Sequence, residues 1–316
     1  LMLSIAIFVL TYSRFNILRT IASGRDRRSN VERSQADEQQ LRQHGDQIYI
    51  LELEGFIFFG AGNLLAIKIN ERIQDRSQPP LRYILLDLRK VSGIDASAAQ
   101  TLAQMQARSA SYGFTIIYTH MSPPVADRLT ATFGLTSELP SALFFEDTDR
   151  GLEWCEDQII RNNGNDQTPA RSADLFEILR NYAGVREDDK LQLESNIEVR
   201  HIDTGSIIIE HGKRPEGIYF VVSGHVSVVL SCNNGRTQRL RRGGPGSIYG
   251  EMSYFAQTTA SASLIADVPT TLNLLTKEAL ERMERDTPLL AIAIYKHAAK
   301  VISQRFATAT AQLQDL

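Results

Sequence analysis

Two cysteines in 316 residues, Cys155 and Cys232, stand far apart and flank no CxxC pair. That excludes a disulfide-stapled scaffold and is read as reduced, buried thiols in a cytoplasmic protein. The six histidines (44, 120, 201, 211, 225 and 297) make no HExxH and no Cys/His set at zinc spacing, so each reads as a surface or structural residue. The 20 glycines and 10 prolines follow no repeat, which excludes a collagen-like or low-complexity chain. Charge of one sign is lacking too. Thirty-four Lys and Arg against 37 Asp and Glu leave a formal net charge of −3, and no basic face for nucleic acid is expected. No N-x-S/T sequon occurs.

Enzyme motifs are equally missing. Gly60-Ala61-Gly62 follows an apolar run, but Leu65 stands where a GxGxxG fingerprint needs its third glycine. There is no P-loop, and Gly246-Ser247-Ile248-Tyr249-Gly250 has its serine out of place for a GxSxG elbow. The chain is read as no enzyme, with no catalytic residue and no metal site.

What is present is apolar content for two cores. Hydrophobic residues make up 43% of the chain, and its length suggests about two domains. The one long apolar run, Leu1 to Tyr12, has twelve residues without a charge, short of the roughly 20 that cross a bilayer. Arg14, Arg19, Arg25, Arg27 and Arg28 follow it against a single acid, Asp26, an order that suits the cytoplasmic end of a membrane helix. The expectation is that residues 1–22 are the end of a last transmembrane helix and that the chain is a fragment. The rival reading is a buried or amphipathic N-terminal helix.

Residues 23–45 are polar and read as a linker or short exposed helix. Residues 46–160 alternate strands with helices. Strands are expected at Ile48–Leu53, Phe56–Phe59, Tyr83–Leu88, Phe114–Thr119 and Phe144–Phe145, helices over 63–74, 96–112 and 148–160. That grammar indicates an α/β sandwich, with the phenylalanines packing in its core. Residues 161–171 form a second linker. From 172 to 316 a short helix is followed by strands punctuated with glycine turns, a pattern of a barrel or β-roll, and by terminal helices over 277–285 and 288–313. Asn233-Asn234-Gly235 marks a hairpin.

Tyr83 to Leu102 reads YILLDLRKVSGIDASAAQTL and resembles the core of a STAS domain, the fold of sulfate permeases and anti-sigma-factor antagonists. The carriers are Asp87, Val91, Ile94, Asp95 and Ser97. Asp95 or Ser97 suits the N-cap of the following helix, whose start would face an anion or phosphate. The resemblance places a phosphorylated serine directly after the loop aspartate, where this chain has Ala96, so Ser97 is read as a cap. Residues 4–24, SIAIFVLTYSRFNILRTIASG, resemble the last membrane helix and exit segment of SulP-type anion transporters.

The third region resembles a cyclic-nucleotide-binding domain through Gly205, Gly212, Gly217–Gly224 and Gly246–Ser253. The resemblance makes Gly250, Glu251, Met252, Ser253, Ser261 and Ala262 a ligand cassette, with Glu251 on the ribose 2′-hydroxyl. It also implies an arginine for the cyclic phosphate at the position of Ala260, and no basic residue occurs from Tyr249 to Thr276. A cyclic nucleotide (cAMP or cGMP) is therefore admitted with weakened affinity. Arg241 and Arg242 either supply charge from a neighbouring strand or form a solvated turn.

Together these resemblances imply the cytoplasmic regulatory region of a SulP-type sulfate or bicarbonate transporter. Its partners would be the membrane domain of the same transporter and a second copy in a homodimer, with residues from about 23 onward cytoplasmic. Leu289, Leu290, Ile294, Val301 and Phe306 on the last helix read as lid and dimer contacts or, equally, as core packing. The alternative is a soluble STAS and cyclic-nucleotide-binding signalling protein acting by partner binding.

Overall fold

In the computed structural model, residues 17–133, 142–163, 172–231 and 237–314 are described. Two compact units result: residues 1–29 with 33–166, and Asn30–Glu32 with 167–316.

The first unit is built on β3 (Tyr83–Ile94), whose residues 83–88 are all buried. A strand covered on both faces has no polar side to show, which is why Tyr-Ile-Leu-Leu-Asp-Leu runs without alternation. Its neighbours are β2 (Ile48–Ile57) and β4 (Thr115–Thr119), both parallel to it, with β5 (Ala142–Phe145) parallel beyond β4. The crossovers are α2 (Phe59–Gln74), α3 (Ala96–Tyr112) and α4 (Pro123–Phe133). Leu65, Ile69, Ala98, Leu102 and Leu129 from these helices pack with Ile84, Leu86 and Leu88. The opposite face, Tyr83 and Leu85, meets Leu41 of α1 (Gln35–His44) and Leu152, Cys155 and Ile159 of α5 (Thr148–Asn163). Cys155 is free and buried, and burial pushes its thiol up; Cys232 lies outside the described residues. An α/β sandwich was expected here, with two corrections: Phe56 and Ile57 continue β2 rather than start a second strand, and Phe56 and Phe144 are exposed rather than packed in the core.

The N-terminal expectations change more. Leu18–Ser23, of which residues 18–22 were expected in a membrane helix and Ser23 in the linker, is the edge strand β1, antiparallel to β2. Its register sets Ile21 against Leu51 and Ala22 against Ile50. That pairing satisfies backbone groups on the sheet edge, so the local pattern of apolar and basic residues does not decide the conformation. Residues 1–16 lie outside the described residues, and no helix among the described residues is long and apolar enough to cross a membrane. Nor is 23–45 a free linker. Glu156 of α5 is 1% exposed, and its carboxylate accepts from Ser29 N–H (2.8 Å), Ser29 Oγ (2.5 Å) and Arg33 Nη2 (3.2 Å). A buried carboxylate needs such donors, and they come from this segment.

The second unit consists of two antiparallel four-stranded sheets, ordered β10-β9-β12-β7 and β11-β8-β13-β6. The strands are β6 (Glu198–Ile202), β7 (Ile207–Ile209), β8 (Gly217–Ser223), β9 (Val226–Ser231), β10 (Thr237–Gly243), β11 (Ile248–Tyr249), β12 (Ser263–Ala266) and β13 (Thr270–Thr276). Two short helices precede them, α6 (Leu175–Leu179) and α7 (Asp189–Asn196); α7 falls where the glycine-turn pattern led us to expect strand only. The α8 helix (Glu251–Ala256) is inserted between β11 and β12, and α9 (Lys277–Asp286) and α10 (Pro288–Gln314) close the chain. Alternate residues of β8 serve different cores. Tyr219 and Val221 face Leu264, Leu272 and Leu274 inside the roll. Ile218 and Phe220 face Phe176, Leu280, Leu290 and Ile294 of the helices.

His297 of α10 lies in that helical layer, stacked on Phe220 (centroids 6.3 Å apart) with its Nδ1 3.2 Å from the Tyr182 hydroxyl. Its Nε2 is buried with no hydrogen-bond partner. Burial, with Lys300 and Arg305 nearby, holds its pKa below 6.5. The unfolded chain therefore binds the proton more readily than the fold, and stability present above pH 6.5 falls as the pH drops toward the folded value. The thermal midpoint should fall between about pH 7 and about pH 5.5, and His297→Gln should flatten that fall.

Candidate functional site

The cassette residues Gly250–Ser253 are consecutive at the turn from β11 into α8. Gly250 adopts φ +85°, and a Cβ there would stand 2.5 Å from the Gly217 carbonyl. Only glycine makes this turn without strain. The turn aims Glu251 inward: it is 1% exposed. Met252 points the other way and is exposed, and Ser253 is half-buried. Ala260 is buried inside the roll, its backbone paired with Lys213 O and Gly212 N–H at 2.8 Å each. Ser261 is exposed and Ala262 half-buried on the approach to β12.

The Glu251 carboxylate has a cation partner that the linear motif does not contain. Arg305 of α10 donates from Nη1 to Glu251 Oε1 at 2.5 Å and from Nη2 to the Ile248 carbonyl at 2.7 Å. Its guanidinium carbon stands 5.0 Å from the centre of the Tyr249 ring. Burial raises the Glu251 carboxyl above its usual range, and Arg305 opposes that shift. Burial alone would lower Arg305; the carboxylates of Glu32 and Glu251 leave it raised. A second contact ties α8 to α10, the stacked rings of Tyr254 and Tyr295 (6.4 Å). Of the five expected lid contacts, Leu290 and Ile294 are core, Val301 is half-buried against that core, and Leu289 and Phe306 are exposed.

Arg241 and Arg242 form no solvated turn. They lie on β10, Arg241 Nη1 3.2 Å from Glu32 Oε1 and Arg242 Nε 2.8 Å from Asp267 Oδ2.

In the first unit the loop before α3 resolves the choice of cap. Asp95 Oδ1 accepts from the Ala98 N–H and from Ser97 Oγ, both at 2.7 Å, so Asp95 is the N-cap and exposed Ser97 buttresses it. Asp87 is buried under the start of α5. It accepts from Thr148 Oγ1 (2.7 Å) and the Arg89 N–H (2.9 Å), with His120 Nδ1 3.6 Å away. His120 holds a left-handed backbone at φ +55°. Thr148, His120 and Arg305 escaped the sequence reading because each reaches its carboxylate from a distant element. Among the described residues no group of three or more His, Cys, Asp and Glu could hold a metal ion.

Two substitutions test this geometry. Asp95→Ala should cost about 1 kcal/mol through the lost cap. Arg305→Met should cost about 3 kcal/mol at neutral pH by leaving a buried carboxylate unpaired. The second loss should shrink on acidification, because a protonated Glu251 needs no cation. Denaturant titrations at two pH values measure both.

Residues 39–147 match the family model of the STAS domain, and residues 199–286 that of the cyclic nucleotide-binding domain. Two curated relatives span most of the chain. Glutaminase 2 of Bradyrhizobium diazoefficiens is 28% identical over 88% of this chain and 43% of its own length; Glutaminase 1 of the same organism is 24% identical over 87% and 43%. A vacuolar basic amino acid transporter of Saccharomyces cerevisiae is 25% identical over 48% of this chain and 15% of its own. The chain thus spans less than half the length of each. Among solved structures, a cyclic nucleotide-binding domain from Methylobacillus flagellatus is similar at 22% identity and TM-score 0.41, covering 45% of this chain and 81% of that one. The Thermus thermophilus catabolite activator protein is 27% identical with TM-score 0.37, covering 42% and 60%. The chain carries a STAS domain followed by a cyclic nucleotide-binding domain.

Proposed function

We propose that this chain is a regulatory segment, in which the cyclic-nucleotide-type unit senses a small ligand and acts on an effector together with the STAS unit. The observation that carries the reading is the tandem of the two domain matches, with a buried glutamate at the cassette turn of the second. Neither domain type is catalytic, and the similarity to glutaminases does not bring a reaction to these residues.

The ligand we favour is a cyclic nucleotide held weakly. Glu251 provides a carboxylate for a ribose hydroxyl once Arg305 shares it, but buried Ala260 provides no charge for a phosphate. A charge-assisted bond contributes about 1.5–3 kcal/mol, so its absence weakens binding about ten- to 150-fold.

For the effector, two readings have support. An anion transporter of SulP type, with the membrane domain of the same chain as partner, has support from the apolar run of residues 1–12 with its trailing arginines and from the similarity to a vacuolar transporter; a homodimer is proposed with that reading. A signalling segment acting on a non-membrane partner is favoured by β1, which occupies the expected membrane exit, and by the coverage of both glutaminases. The coding sequence upstream of Leu1 separates them: a series of apolar spans of about 20 residues supports the transporter, and its absence overturns it.

Calorimetry on the whole chain with cyclic AMP and cyclic GMP tests the ligand. Ala260→Arg should tighten binding about tenfold or more, and Glu251→Ala should abolish it. An affinity unchanged by Ala260→Arg would sink the reading.

A further inference from the structure

In the second unit a further carboxylate, outside the ligand cassette, shares Arg305 with Glu251. Glu32 lies between two guanidiniums, with Oε1 2.9 Å from Arg305 Nε and 3.2 Å from Arg241 Nη1. Its backbone is held as well: Glu32 N–H donates to the Arg242 carbonyl at 2.8 Å, and Arg242 N–H donates to the Asn30 carbonyl at 2.9 Å. Val31 is bridged in parallel to Arg242. Asn30–Glu32 is thus held against β10 by an isolated β-bridge and delivers one carboxylate.

The far wall of this position leaves room for the second oxygen. A Cβ on Gly243 would stand 3.0 Å from Glu32 Oε2, 2.6 Å from Ser247 Oγ and 2.0 Å from the Tyr249 hydroxyl. A side chain there would close the space that the carboxylate and its two hydroxyl neighbours occupy. The cations are shielded from water, Arg305 more than Arg241 (13% and 26% side-chain exposure). Arg241 and Arg305 with Glu32 and Glu251 balance at zero charge. Without Glu32 the group carries one uncompensated positive charge in a largely desolvated place, and such a place attracts an anion.

We propose that Arg241 and Arg305 form a carboxylate-binding seat on the β-roll, and that Glu32 is its tethered occupant. Because Arg305 serves Glu32 and Glu251 at once, occupancy of the seat fixes the far half of α10 over the cassette glutamate. Emptying the seat frees one face of Arg305 and loosens that half of the helix. The ligand class is a carboxylate on an extended segment, presented here by the chain itself. The seat stands on these ion pairs and does not require that a cyclic nucleotide binds.

Hydrogen–deuterium exchange on the whole chain tests it. Glu32→Ala should raise exchange about tenfold at the Arg242 amide and at the α10 amides around Arg305. Acetate added to Glu32→Ala should restore the α10 amides by refilling the seat, and chloride at equal ionic strength should not. Glu32→Gln, which keeps the shape and removes the charge, should show the same rise without acetate rescue, since its amide still fills the space. Amides of β8 and β13 are the control for an intact fold; if Glu32→Ala disturbs them, Glu32→Gln carries the test. Unchanged α10 exchange in a folded variant, or equal rescue by chloride, overturns the seat. No nucleotide enters this experiment, so failure of the nucleotide reading shows separately, in calorimetry.

Discussion

A carboxylate taken out of water at the first position of a six-residue helix has to be answered by a cation, and the second unit is arranged around that requirement. Glu251 is placed inside by a turn only glycine makes easily, and the cation comes from Arg305, 54 residues later in the chain. For Arg305 to arrive, α10 has to lie along the roll, and Leu290, Ile294 and Ala298 seat it there. Cassette and terminal helix are therefore one electrostatic object. A ligand that claims Glu251 competes with a helix.

The first unit meets the same constraint differently. Asp87, Asp95 and Glu156 are each answered locally or by hydroxyl and backbone donors. Asp95 caps α3 within its own turn, and Asp87 takes a hydroxyl from Thr148 at the start of α5. Glu156 also draws on Arg33, and Asp87 on its near neighbour Arg89. The STAS loop is capped within its own turn, whereas the cassette of the second unit is tied to a distant helix through Glu251 and Arg305.

Much of this was legible in the residues. The unbroken apolar run of Tyr83–Leu88 announces a strand buried on both faces, and Ile-Asp-x-Ser announces a capped helix start. The glycine-punctuated stretch after residue 200 reads correctly as a roll. What could not be read depends on partners remote in the chain. Leu18–Ser23 has the apolar and basic character of a membrane exit, and only pairing with Tyr49–Leu53 makes it a strand. The helix Asp189–Asn196 shows one buried residue, Leu193, too little periodicity to stand out. Arg305 looks like any arginine on a polar helix face until the fold brings Glu251 to it.

Consider again the two-sided strand β8. Sliding it by one residue against β13 would send Tyr219 and Val221 into the helical layer and Ile218 and Phe220 into the roll. Each misplacement is an error in two cores at once, and neither core is able to repair it by rearranging alone. The strand therefore works as a parity check on assembly. A chain that closes the roll in the wrong frame is also unable to dock α10, so Arg305 never reaches Glu251.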